Sequence, residues 1–168
     1  MLQEPADAVI TSAAGHPLDL TFYQAIKGVT AAQHIVKPGG PVLVMAECAE
    51  GIGSPEFAAK LSSFRGHREY LDDIANSPVQ VDQWQLEKLA LVGLRHPISF
   101  YTPGALKAAL GSLGDSCFDR PEDALTALIA GLPDGARVVV VPEGPYVYAR
   151  VAGASHTAAR SSDLGCNT

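Results

Sequence analysis

The chain has 168 residues, 47% of them hydrophobic and 18% charged, with 16 glycines, which is the composition of one turn-rich globular domain rather than a disordered or coiled-coil segment. Its formal net charge is −6 and it has no run of Lys or Arg, so it offers no positive field to nucleic acid. No apolar stretch is long enough to span a bilayer and Met1-Leu2-Gln3-Glu4 lacks the order of a signal peptide, so no membrane partner and a cytoplasmic location are expected.

Ala8-Val9-Ile10-Thr11-Ser12 reads as a buried strand running into a loop at Ala13-Ala14-Gly15-His16-Pro17. Asp19 is a natural N-cap for the helix that follows, in which Phe22, Ile26 and Val29 form one apolar stripe, and the pattern predicts a helix to about Val36. Pro38-Gly39-Gly40 stops it, and Val42-Leu43-Val44-Met45-Ala46 is a second buried strand. Glu50-Gly51-Ile52-Gly53 forms a loop, and Ser54-Pro55-Glu56 opens the next helix. Further helices are expected over 68–75 and 81–94, the latter with Trp84, Lys88 and Leu91 spaced along it. After them come a strand at Ile98-Ser99-Phe100-Tyr101, a short helix over 103–110, a helix from Pro121 to Ile129 and a strand over 137–141. Residues 146–151 suit an edge strand or hairpin partner. The unperiodic stretch 152–168 reads as a flexible tail after a domain over 1–151.

Apolar strands alternating with helices imply a Rossmann-like three-layer α/β domain, a mostly parallel sheet flanked by helices. In such sheets ligands sit beyond the carboxyl ends of the strands. Two loops qualify, 12–19 and 47–54, and their glycines allow backbone to approach a ligand closely. On a helical wheel Tyr23, Gln24 and Lys27 lie together, away from the apolar stripe, and place a phenol, an amide and an ammonium where a carboxylate could be held. The plain alternative is a solvated polar face. His16 could touch a ligand from the first loop. Asp19 is more naturally a cap than a contact, His34 and His96 more naturally structural, and Trp84 either core or the wall of a pocket. Glu47 and Glu50 would repel an anion from the second loop. Cys48, Cys117 and Cys166 show no CxxC spacing and are expected to be free thiols, and without an HxxxH or HExxH pair no metal site is expected in the chain itself.

Taken in order, Ser12-Ala13-Ala14-Gly15-His16-Pro17-Leu18-Asp19, Tyr23-Gln24-Ala25-Ile26-Lys27, Val36-Lys37-Pro38-Gly39-Gly40 and Ala46-Glu47-Cys48-Ala49-Glu50-Gly51-Ile52-Gly53 resemble the C-terminal domain of the nickel-dependent lactate racemase family. Each motif alone is weak, but their order and spacing, covering about Val9 to Val141, are specific. The resemblance implies a two-domain racemase, an isomerase that carries a nickel pincer nucleotide in the cleft between its domains. Hydride leaves the α-carbon of a small 2-hydroxy acid and returns to either face through a planar 2-keto acid. It also implies that the cofactor, its metal ligands and the acid/base histidines belong mainly to an N-terminal partner domain absent from this chain, which alone is expected to be inactive. Carried over residue by residue, Tyr23, Gln24 and Lys27 contact substrate or cofactor, and Trp84 of Asp82-Gln83-Trp84 closes the pocket. One departure, Ala14-Gly15-His16 where the family often has Gly-Gly before an aromatic-Pro step, leaves the choice of 2-hydroxy acid open, including acids larger than lactate.

Two other readings compete. A stand-alone α/β module could bind a small anionic metabolite without catalysis. A methyltransferase using S-adenosylmethionine is suggested by Lys37-Pro38-Gly39-Gly40 but disfavoured by the lack of GxGxG after the first strand.

Overall fold

Short runs of β-branched residues become the strands, and the amphipathic stretches between them become helices. The computed structural model describes residues 1–102 and 106–152. Its elements are β1 (Ala8–Ser12), α1 (Phe22–Ala32), β2 (Val42–Met45), α2 (Pro55–Ser62), α3 (His67–Ala75), α4 (Gln83–Gly93), β3 (Ile98–Tyr101), β4 (Cys117–Phe118), α5 (Pro121–Ala130) and β5 (Val138–Val141). The strands form one sheet in the order β4-β3-β2-β1-β5, with every neighbouring pair parallel. The expected three-layer α/β architecture is therefore present.

Strand side chains alternate between two cores, as the pleat requires. Val9, Val42, Val44 and Phe100 pack with Phe22, Ile26, Val29, Phe57, Leu86 and Leu89 under α1, α2 and α4. Ala8 and Leu43, one residue out of phase, pack instead with Ala124 and Leu128 of α5. The Phe22 and Phe100 rings, 4.8 Å apart, join α1 to the middle of the sheet.

Several boundaries differ from the expectation for identifiable reasons. Asp19 does not cap α1, because it lies in a separate 3-10 turn, Leu18–Leu20, and Thr21 occupies the cap position. The helix ends at Ala32 rather than near Val36, since Ile35 and Lys37 instead hydrogen-bond to Ala6, whose N–H and carbonyl they share. In α4 the buried positions are Gln83, Gln85, Leu86, Leu89, Ala90 and Val92, so Trp84 (43% exposed) and Leu91 (48% exposed) lie on the outer side. Lys107–Ser116 forms 3-10 turns broken at Gly111 (φ 54°), and Pro103, where a helix was expected to start, lies outside the described residues. Strand β4 was not anticipated, being two residues long. Residues 146–151 form no strand; a 3-10 turn spans Gly144–Tyr146, and Val151 makes a single bridge to Leu2. Apart from Ala152, the expected tail lies outside the described residues.

The strand order reverses between β1 and β5, the point where open parallel sheets commonly bind ligands. Here that crevice is filled by the chain itself. Ala13 bridges to Glu143, Ser12 Oγ donates to the Pro142 carbonyl, and Gly144 lies against β1 and α1. A Cβ at Gly144 would stand 2.3 Å from Thr11 Oγ1 and 3.1 Å from the Gly28 Cα. Gly144→Ala should therefore destabilise the fold by about 1–3 kcal/mol through overpacking, whereas Gly131→Ala, whose nearest neighbour would be 3.7 Å away, should change little. Denaturant unfolding of the two variants checks this, and equal midpoints would contradict it.

His96 is buried (6% exposed), with Nδ1 3.1 Å from the Gly40 carbonyl. Burial holds its pKa below the ordinary value, partly offset by that hydrogen bond, and burial does the same for His67. The folded state thus binds fewer protons than the unfolded chain, and stability should fall as pH drops below the unfolded histidine value of about 6.5. Melting temperatures between pH 8 and pH 5 should show this decline, less steeply in His96→Gln; an unchanged slope in that variant would contradict the assignment.

Candidate functional site

The two glycine loops meet at the start of α1, at the carboxyl end of the sheet. Cys48 N donates to Asp19 O (2.8 Å) and Glu50 N to Leu20 O (2.7 Å), while Phe22 N donates to Gly51 O (2.9 Å) and Tyr23 N to Ile52 O (3.0 Å). The second loop thereby satisfies the first helical N–H groups that a capping side chain would otherwise serve. Those N–H groups are consequently spent on backbone carbonyls rather than offered to an anion. Buried Asp19 braces the junction, its Oδ2 3.4 Å from Glu47 N.

From this anchored end α1 projects Tyr23, Gln24 and Lys27 to one side, but into two neighbouring depressions. Tyr23 and Gln24 line the first, of about 420 Å³, with Thr21, Glu50, Gly53, Ser54 and Asp82. Lys27 lines the second, of about 340 Å³, with His34 from just beyond α1, Trp84 and Lys88 of α4, and the stretch 144–149. The wall between them is aromatic: Tyr23 stands edge-on to Phe57 (5.0 Å) and to Trp84 (6.0 Å). Gln85 Nε2 donates to the Tyr23 carbonyl (2.6 Å) and fastens α4 to α1 behind that wall. The sequence-selected residues thus fall into groups. Lys27 shares a cleft with Trp84, Tyr23 and Gln24 occupy the adjoining one, Asp19 serves as a loop brace, and His16 is exposed in the first loop.

A match to the lactate racemase C-terminal domain family extends over residues 1–148. The chain belongs to that family. The lactate racemase of Thermoanaerobacterium thermosaccharolyticum is 28% identical over 150 residues, 88% of this chain and 35% of the relative. The lactate racemase of Lactiplantibacillus plantarum is 28% identical over 141 residues, 82% and 33% of the respective chains. The solved lactate racemase apoprotein from T. thermosaccharolyticum superposes with a TM-score of 0.78 at 28% identity, covering 86% of this chain and 35% of that one. The chain therefore spans about a third of the length of the relatives it matches.

Within this lactate racemase C-terminal domain the two depressions differ in charge. Glu50 and Asp82 make the first acidic, whereas among the described residues the second is lined by Lys27, Lys88 and His34 and by no carboxylate. Sequence reasoning placed Lys88 only as a helical position and did not select Asp82, Gln85 or Tyr148. Asp82 has a left-handed conformation (φ 62°) and accepts from Ser54 Oγ (2.7 Å), which itself caps α2 by accepting from Phe57 N. Nothing in its neighbours along the chain announces that role. Spacing could have revealed Lys88, since i and i+4 residues stack on a helix face, and its ammonium lies 4.5 Å from the Trp84 ring centroid. His34, read as structural, is exposed and lies beside Tyr148, the two rings tilted by 50° with centroids 6.3 Å apart.

Among the described residues no group of three or more His, Cys, Asp and Glu side chains is placed to hold a metal ion, and no helix is long and apolar enough to cross a membrane. Cys48 and Cys117 are free and buried, and burial pushes both thiols up to about 12, away from nucleophilic chemistry at neutral pH; Cys166 lies outside the described residues. Burial, and then the Asp82 carboxylate, raise the Tyr23 phenol above its ordinary value. Asp82→Asn should therefore let Tyr23 ionise at lower pH, nearer the usual value of about 10. Alkaline absorbance titration against a Tyr23→Phe background isolates this group, and an unchanged midpoint would remove Asp82 from the site.

Proposed function

We propose that this chain supplies the substrate-facing half of a 2-hydroxy acid racemase that uses a nickel pincer nucleotide, working at a cleft against an N-terminal partner domain. The observation that carries the reading is the cleft at Lys27 and Trp84, which among the described residues is lined by two lysines and no carboxylate although the chain's net charge is −6. Membership of the family and likeness to two lactate racemases support it. So does a concentration of exposed apolar side chains in the segments that line the cleft: Trp84, Tyr146, Val147 and Tyr148. Such surface is costly to leave in water and suits coverage by another domain.

In this reading Lys27 anchors the carboxylate of the 2-hydroxy acid by a charge-assisted hydrogen bond, and Trp84 closes one side of the acid. Racemisation needs the α-carbon to become planar and then be attacked from either face, so the carboxylate must stay fixed while that carbon is reworked. Lys27, on a helix whose first two N–H groups are held by carbonyls of the second loop, suits that task. Gln24 Oε1 is buried without a partner, an acceptor suited to a donor group on cofactor or substrate, and Tyr23 supports the aromatic wall between the two. The nickel pincer nucleotide, when bound, supplies hydride acceptance and return, and its metal ligands and the acid/base histidines come from the other domain. Excluding water by domain closure would strengthen the Lys27 contact.

Lys27→Ala in the two-domain protein should lower the racemisation rate at least about tenfold, the effect of losing roughly 1.4 kcal/mol of transition-state stabilisation. Lys37→Ala is the control, since Lys37 pairs with Asp7 (2.6 Å) just before β1, at the opposite end of the strands. Equal rates for both variants and wild type would return the α1 face to solvated surface. A second prediction is that the chain alone, with or without nickel, does not racemise lactate. Measurable turnover by the purified chain would contradict the division of labour between domains.

A further inference from the structure

The cleft at Lys27 holds more positive charge than one carboxylate requires. Lys27 projects from α1 and Lys88 from α4, and neither has an ion-pair partner among the described residues, whose salt bridges use Lys37, Arg65, Arg120 and Arg137. Two lysines without an ion-pair partner, in a cleft that no carboxylate of the described residues lines, form a local positive field on an acidic protein, which raises the local concentration of anions. Lys88 is also oriented. Its ammonium sits 4.5 Å from the Trp84 ring centroid, so the aromatic wall that closes one side of the cleft carries a cation one helical turn further on.

The volume agrees. At about 340 Å³ the cleft lies at the lower end of ordinary ligand pockets, which leaves room for an acid longer than lactate. A phosphate is a poorer match than a second carboxylate, because phosphate sites generally recruit backbone N–H groups at a helix N-terminus. The N-terminal N–H groups of α1 are already given to Gly51 O and Ile52 O. What the cleft offers is two separate point charges on two helices, suited to two separate singly charged groups.

We propose that this cleft takes a 2-hydroxy acid bearing a second carboxylate, with Lys27 holding the carboxylate next to the hydroxyl-bearing carbon and Lys88 holding the distal one. That the ligand is a 2-hydroxy acid rests on the racemase reading; that it is a dianion rests on the two lysines. Lys88 thereby becomes the residue that separates diacids from monoacids, because a monoacid gives it nothing to bind.

The chain contains one tryptophan, Trp84, and its ring lies under Lys88, so intrinsic fluorescence reports on this cleft. The chain is titrated with malate and separately with lactate, at ionic strength held constant with sodium chloride. Malate should saturate the response at a concentration at least about tenfold lower than lactate. Lys88→Met should close that gap by weakening malate far more than lactate, Lys88→Arg should keep it, and Lys27→Met should weaken both acids. Circular dichroism of each variant confirms the fold. Identical curves for the two acids, a gap that survives Lys88→Met, or no saturable response to either would overturn the proposal. The racemase reading fails separately: if the two-domain protein turns over neither acid while malate still binds through Lys88, the dianion site stands and the catalytic reading falls. If lactate is racemised and malate gains nothing from Lys88, the reverse holds.

Discussion

Everything on the functional side of this domain depends on how the N-terminus of α1 is satisfied. A helix leaves its first N–H groups without partners, and here no side chain caps them. The loop after β2 does so with backbone carbonyls, Gly51 O to Phe22 N and Ile52 O to Tyr23 N, while its own Cys48 and Glu50 N–H groups bond back to Asp19 O and Leu20 O. The loop and the helix therefore fix one another. Because the contacts are main chain to main chain, the positions of Tyr23, Gln24 and Lys27 follow from the backbone and not from mobile side chains.

A second consequence is a division of charge. The same loop that caps α1 brings Glu50 beside Tyr23 and Gln24, and Ser54 brings Asp82 there as well. The acidic groups collect on one side of the wall formed by Tyr23, Phe57 and Trp84, and the lysines collect on the other. A Coulomb interaction that is weak in open water grows as a site is covered. The surroundings of the basic cleft are apolar enough to accept such a cover. The usual ligand crevice of a parallel sheet, between β1 and β5, is closed by Glu143 and Gly144 packing on Ala13, Thr11 and Gly28, whereas open depressions lie beside α1 and α4.

The sequence made the sheet legible because its strands are short, apolar and bounded by Gly and Pro: Ala8–Ser12, Ile98–Tyr101 and Val138–Val141 were found nearly residue for residue. The helix carrying Tyr23, Gln24 and Lys27 was also legible, through the 3.6-residue recurrence of Phe22, Ile26 and Val29. What escaped was non-local. Asp19 has the composition of a cap, but its carboxylate is used by Glu47 N, 28 residues on, and no local rule anticipates that. Trp84 and Lys88 sit at one spacing on α4, yet only packing against α1 decides that Leu86 and Leu89 go inward while those two face the cleft. Likewise the closing of the β1/β5 crevice requires contact between residues about 130 apart, and β4, with two residues, is too short to carry a period.

The central proposal is that Lys27 holds the carboxylate of the reacting acid in a cleft covered by a second domain. A crystal structure of the two-domain protein with a 2-oxo acid bound tests it most directly. The account predicts a carboxylate oxygen within about 2.7–2.9 Å of Lys27 Nζ, with the Trp84 ring against the acid and the partner domain over residues 144–148. Lys27 facing bulk solvent while the acid sits elsewhere in the protein would contradict it.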